Sequence, residues 1–247
     1  MSRLRVGNPE NAEDGARLFA AQPRPLGAGR AFTLIELLIV IAIVAVLAAL
    51  LFTSMRAANR AKVRTKARGE LAQVQSAIES YAAALGHYPP DNRGSPAVNP
   101  LYFELLGTTN GGTFFATLDH SAEVATSALG ATFGTSSGVP NVSGFVNCEG
   151  GGQGDERRPA RNFMAGLKPS QIGELSPGVK LLVSSIPWPS DLAFQPTPTR
   201  GLNPFRYVSS APAHNRNSFD LWVDVVIGGQ TNRISNWSAE VLINPAD

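Results

Sequence analysis

From Phe32 to Phe52 the chain reads FTLIELLIVIAIVAVLAALLF, 21 residues carrying one charge, Glu36. No glycine or proline interrupts it. At about 1.5 Å per helical residue, the block reaches roughly 30 Å, the thickness of bilayer hydrocarbon. A helix satisfies all its backbone groups internally, which is the condition for crossing lipid. The block therefore predicts a membrane-spanning helix, and it constrains the chain more than any other segment. Whole-chain averages hide it. Of 247 residues, 43% are hydrophobic and 16% charged, the latter below the usual ~25% for globular chains. The single cysteine, Cys148, excludes a disulfide scaffold. Adequate apolar content and low net charge exclude global disorder.

Residues 1–31 look unlike a folded unit. Arg3, Arg5, Arg17, Arg24 and Arg30 stand against Glu10, Glu13 and Asp14, with Pro9, Pro23, Pro25, Gly15, Gly27 and Gly29 breaking any regular pattern. A basic stretch before an apolar one resembles a secretory signal. The apolar run, however, exceeds the ~7–15 residues of a signal core, and no small-x-small site closes it. The small residue and polar break come before the run instead, at Gly29-Arg30-Ala31. If residues 1–31 are removed, the whole net charge of +2 goes with them. The remainder holds 16 basic and 16 acidic residues, so the pI near 8.9 does not argue for a nucleic-acid partner.

Gly29-Arg30-Ala31 followed by Phe32-Thr33-Leu34-Ile35-Glu36 resembles the prepilin peptidase signal of type IV pilins and type II secretion pseudopilins. The resemblance implies a leader peptide at 1–31, cleavage of the Ala31–Phe32 bond and N-methylation of Phe32. It implies a pilin-like α+β fold, a long N-terminal helix packed on a small C-terminal antiparallel sheet. It also implies a filament-assembly role for Glu36, whose carboxylate would pair with the N-terminal amine of a neighbouring subunit. An unpaired carboxylate inside a bilayer costs ~2.5 kcal/mol or more. The plainer role for Glu36 is a carboxylate reaching the headgroups near a helix end. The implied partners are prepilin peptidase/methyltransferase, other pilin or pseudopilin subunits, the inner-membrane platform of a secretion system, and membrane lipid. The implied location is the bacterial inner membrane, single-pass, with the N-terminus cytoplasmic and the head periplasmic. One feature opposes that orientation. Arg56, Arg60, Lys62, Arg64, Lys66 and Arg68 follow the block with no acid before Glu70, and the positive-inside rule alone would place them in the cytoplasm. The motif is the more specific signal. The basic run then contacts outer-leaflet phosphates or acidic filament neighbours, or is simply a solvated face.

Beyond the transmembrane half at 32–52, the helix is expected to continue as an amphipathic half at 53–86. Leu71, Val74, Ile78, Tyr81 and Leu85 recur at spacings of three and four, an apolar stripe of period 3.6. Gly86 and Pro89-Pro90 end it. The head, 87–247, opens with His87-Tyr88-Pro89-Pro90, a tyrosine-proline turn that extends the resemblance. Asn99 to Gly107 predicts a short helix. The stretch 108–177 is rich in Gly, Ser and Thr and reads as a turn-rich insertion, with a helix expected over Leu118–Leu129. Strands are expected at Val179–Ile186, Phe205–Ser209 and Ser218–Ile227. In the last, Phe219, Leu221, Val223 and Val225 alternate with Asp220, Trp222, Asp224 and Val226, and the two acids read as solvated surface. Gly228-Gly229 turns the chain back toward Ile234-Ser235-Asn236-Trp237.

Asn203 to Val208, Phe219 to Trp222 and Ile234 to Trp237 resemble the C-terminal end of major type II pseudopilins, the general secretion pathway protein G group. That resemblance raises calcium as a cofactor, bound in the loop before the final Asn-Trp. Here the loop is Gly228 to Arg233. It lacks carboxylates, carries Arg233, and falls short of the six oxygen ligands calcium prefers, so no calcium, or only weak binding, is expected. His87, His120 and His214 fit no metal motif, and no nucleophile elbow or Walker loop is present. Glycines 150–152 and 154 lack the strand-turn-helix setting of a phosphate loop. Asn141-Val142-Ser143 and Asn236-Trp237-Ser238 match a glycosylation sequon by chance. No catalytic residue is expected. A structural subunit of a type II secretion filament is the first reading. A type IV pilin or uptake pseudopilin comes next, and a membrane-anchored binding or enzymatic module after it.

Overall fold

The computed structural model describes residues 33–134, 144–149 and 159–245, without the side chains of 51–54 and 56. Ala31, Phe32, Asn141 and glycines 150–152 and 154 lie outside the described residues. The chain divides into two compact units, Met1–Leu51 and Phe52–Asp247. Helix α1, Leu34–Leu85, contributes to both.

In the first unit, α1 is apolar on every face. From Leu34 to Leu50 only Ala48 is half-buried and every other residue except Glu36 is an exposed apolar one. In the second unit, α1 has the expected one-sided character. Leu71, Val74, Ile78 and Tyr81 are buried, joined by Ala67 and Ala77, and Leu85 packs at the edge of the same core. The N–H of Gly86 donates to the carbonyl of Ala82 at 2.8 Å and closes the last turn.

Four strands form the sheet under this stripe: β7 (Arg206–Val208), β8 (Asp220–Ile227), β9 (Gln230–Ser235) and β10 (Leu242–Ile243). Their order is β10-β9-β8-β7, all antiparallel. Gly228 and Gly229, at φ 61° and 80°, make the two-residue β8–β9 turn, a conformation that disfavours other side chains. Phe219, Leu221, Val223 and Val225 face the core, as the period-two pattern requires. Their alternates differ from expectation. Trp222 and Val226 are half-buried, but Asp220 and Asp224 are buried. β8 is central in its sheet, and its register sets Asp224 opposite Arg233. The Arg233 guanidinium donates to both Asp224 oxygens at 2.9 and 3.0 Å, and Arg206 lies 3.6 Å away on the other side. Asp220 accepts the N–H groups of His214 and Asn215 at 2.9 and 2.8 Å. Both acids are thus structural, and sequence alternation could not show that the second face is covered.

The region 108–177 holds more order than its composition suggests. Strands β1 (Thr108–Asn110), β2 (Phe114–Thr117) and β3 (Glu123–Ala125) form a meander, and β4 (Cys148–Glu149) adds parallel to β1, giving the order β3-β2-β1-β4. The helix expected over Leu118–Leu129 is not there. That stretch makes a turn knotted by Asp119, which accepts from Thr117 and Ser121, then β3, then a 3₁₀ turn at Thr126–Ala128. Helix α3, Leu129–Phe133, begins only at its end. The expected short helix is present as α2, Leu101–Leu106, buried throughout. A hairpin of β5 (Ile172–Ser176) and β6 (Val179–Leu182) completes the unit, and Val183 bridges to Pro204.

Phe103 stacks on Phe145 at 4.9 Å, with Phe115 and Phe133 packed edge-on around Phe145, and this aromatic cluster joins the sheet of β1–β4 to α2. Beside it lies the buried carboxylate of Glu104. It accepts hydrogen bonds from the Tyr81 hydroxyl at 2.9 Å and from the N–H groups of Val146 and Asn147 at 2.9 and 3.0 Å. Burial lifts the Glu104 carboxyl above its ordinary range, against the pull of those donors. Glu104 thereby links α1, α2 and the segment that carries β4.

Candidate functional site

The segment that opens α1 has a defined geometry. Thr33 precedes the first helical residue and Glu36 stands three positions on, the spacing of a capping box. The bonds are reciprocal. The N–H and hydroxyl of Thr33 each donate to Glu36 Oε2 at 2.9 Å, and the Glu36 N–H donates to Thr33 Oγ1 at 3.2 Å. An acid in the first turn also complements the helix dipole. This local role for Glu36 is a reading the sequence carried in its Thr-x-x-Glu string but the expectation of a filament role passed over. The carboxylate is exposed.

Among the described residues, no helix is long and apolar enough to cross a membrane.

The basic run divides in two. Arg64 donates from Nε and Nη2 to Asn232 Oδ1 at 3.2 and 2.7 Å, and Arg68 donates to the Ala239 carbonyl at 2.5 Å. A methyl group in place of the Gly228 hydrogen would lie 3.0 Å from Arg60 Nη2. The row 60-64-68 therefore lies along the β8–β9 hairpin and the loop after it. Lys62 and Lys66 lie on the opposite side of the helix and are exposed.

The remaining sequence candidates are dispersed. His87 packs edge-on against Tyr81, His120 is exposed, and His214 stacks on Trp237 at 4.1 Å while facing Asp220. Cys148 is buried in β4, and burial raises its thiol above the ordinary range. Of the stretch Gly228 to Arg233, where little or no calcium was expected, only Gly228-Gly229 is a turn, because Gln230 to Arg233 lie in β9. Arg233 is held against Asp224 rather than facing that turn. Asn236 accepts the Leu221 N–H at 3.0 Å and donates to the Phe219 carbonyl at 2.9 Å, tying β8 to the end of β9. Among the described residues, no group of three or more His, Cys, Asp and Glu side chains is arranged to hold a metal ion.

Residues 28–52 match the family model described as a prokaryotic N-terminal methylation motif. The match covers the Gly29-Arg30-Ala31 break, the Thr33–Glu36 box and the apolar stretch together. The match is confined to these 25 of 247 residues and is consistent with the pilin-like signal read in the sequence. No curated protein and no solved structure matches the chain.

Proposed function

We propose that this chain is a pseudopilin-like structural subunit of a type II secretion filament. The observation that carries the reading is the coincidence of the methylation motif at 28–52 with the start of a 52-residue helix. Prepilin peptidase cuts the Ala31–Phe32 bond on the cytoplasmic side, and Phe32 is N-methylated. The apolar block 32–52 anchors the processed chain in the inner membrane, since its 21 residues reach about 30 Å as a helix. The head faces the periplasm. On assembly, Glu36 exchanges its partners in Thr33 for the methylated amine of a neighbouring subunit, which neutralises two charges in an apolar setting and sets the axial register.

The secretion assignment is the finer part. It is supported by the three C-terminal strings that resemble protein G pseudopilins, which fall on the neighbouring strands β7, β8 and β9 of one sheet. The subunit works by assembly and not by catalysis, and it has no calcium at the β8–β9 turn, where Asp224 is already engaged by Arg233. Mass spectrometry of the chain from membranes tests the processing, with a methylated Phe32 terminus expected. An intact Met1 terminus would refute it. Glu36→Gln is expected to leave membrane insertion intact and to abolish most filament yield in electron micrographs. Normal filaments from that variant would remove Glu36 from the assembly.

A further inference from the structure

The five cations from Arg60 to Arg68 are not one face. Arg60, Arg64 and Arg68 repeat every four residues and meet the hairpin at Gly228 and Asn232 and the loop after it at Ala239. Lys62 and Lys66 also repeat every four residues, but on the opposite side, exposed and with no acid between Phe52 and Glu70. The division suits the two side chains. Guanidinium groups make the fixed, forked hydrogen bonds that dock a helix, whereas ammonium groups are mobile, hydrated point charges.

We infer that Lys62 and Lys66 form a contact for anionic phospholipid headgroups at the membrane surface from which the head emerges. This rests on the proposed membrane span of 32–52. Lys62 lies ten residues after Phe52, about 15 Å along the helix. Helical side chains lean toward the N-terminus, so its ammonium reaches back toward the bilayer by several ångströms. That leaves it within about one Debye length of the headgroups at physiological salt, where a fixed anionic surface attracts it. Lys66 follows one turn further out on the same row. Glu70, the first acid, is not available to neutralise the row, because its carboxylate takes hydrogen bonds from Ser184 and from the Ser185 N–H.

The contact is read by amine acetylation of the full chain in two kinds of vesicle, phosphatidylcholine alone and phosphatidylcholine mixed with phosphatidylglycerol. Flotation first shows whether the chain enters both. A surface potential of about −30 mV falls to about −11 mV one Debye length out and enriches protons there about 1.5-fold, so Lys62 is expected to acetylate about 1.5-fold more slowly in the anionic vesicles. Lys66 is expected to follow in weaker form. The exposed Lys168 is expected to react alike in both, and about 1 M salt is expected to erase the difference. Flotation with both vesicles but equal Lys62 rates overturns the inference and leaves the anchor standing. Slowing that appears in both vesicles and grows with protein concentration assigns the row to an acidic neighbouring chain and overturns it too. A chain that floats with neither vesicle breaks the membrane reading and this inference together.

Discussion

The two halves of α1 share a backbone and almost nothing else. Ile39, in the first, is about half exposed, and Ile78, in the second, is fully buried. The first half is apolar all round, so no orientation of it can satisfy water on one side and protein on the other. The second half is apolar along one stripe, with charges elsewhere, and finds its apolar partner in the sheet of its own chain. A helix that is uniform needs an environment that is uniform, lipid or the packed helices of other subunits. A helix that is periodic needs a neighbour on one side. The contrast shows that one continuous element makes different demands on its surroundings along its two halves.

The largest effect that could break this contrast is a core truncation. Ile78→Ala leaves a cavity under the sheet and is expected to cost about 2–5 kcal/mol of stability. Ile43→Ala, in the uniform half, is expected to change it by less than about 0.5 kcal/mol. Urea melts of the full chain in detergent micelles compare the two. An equal loss from both would mean the first half also packs on the globular unit.

Next is Glu104, the acid that Tyr81 of the periodic half helps to bury. Glu104→Gln places an amide NH₂ against the donors of Val146 or Asn147 and is expected to cost on the order of 1–3 kcal/mol. Its pH dependence has a definite sign. Burial raises the folded carboxyl above its ordinary value near 4.5, so the folded chain holds a proton that the unfolded chain releases. The stabilisation is therefore complete below about pH 4.5 and lost as pH rises through the folded value. The advantage of the natural chain over Glu104→Gln is expected to shrink from pH 4 upward in thermal melts. An advantage that grows with pH would mean the three donors outweigh burial.

What the sequence showed and what it concealed divide along the same line as the helix. The apolar block, the stripe from Leu71 to Leu85, the glycine turn at 228–229 and the core face of β8 were legible because each is a strong local period or a residue with one conformational use. The sheet of β1–β4 was not, because its strands are two to four residues long and Thr-rich, too short to display alternation. The burial of Asp220 and Asp224 was not legible either. It depends on Arg206, Arg233 and the His214-Asn215 turn arriving from elsewhere in the chain. At the N-terminus the Thr-x-x-Glu spacing of the capping box was legible as well, because it is a local pattern within one turn.

A smaller docking effect tests whether the arginine row belongs to the periodic half. Arg64→Ala removes two hydrogen bonds to a single Asn232 oxygen at a partly buried site and is expected to cost about 1–2 kcal/mol in the same urea melts. Lys62→Ala, on the other side, is expected to be neutral within about 0.5 kcal/mol. Reversal of the two would mean that the lysines, and not the arginines, hold the helix to the head.

The smallest effect concerns the first turn alone. Thr33→Ala deletes the hydroxyl that both accepts the Glu36 N–H and donates to its carboxylate, leaving only the backbone N–H of residue 33 to hold the acid. Loss of a threonine cap costs about 1 kcal/mol, close to a five-fold change in the opening of that turn. Amide exchange in micelles is expected to speed up about five-fold at Glu36 and Leu37, whose N–H groups are held by the Thr33 hydroxyl and carbonyl, and to stay unchanged from Ala67 to Tyr81. The asymmetry follows from cooperativity, since a cap acts on the fraying end of a helix and its influence fades within a turn or two. Faster exchange reaching the periodic half would show that the two halves open as one, and the division of α1 by environment would then hold for its packing but not for its stability.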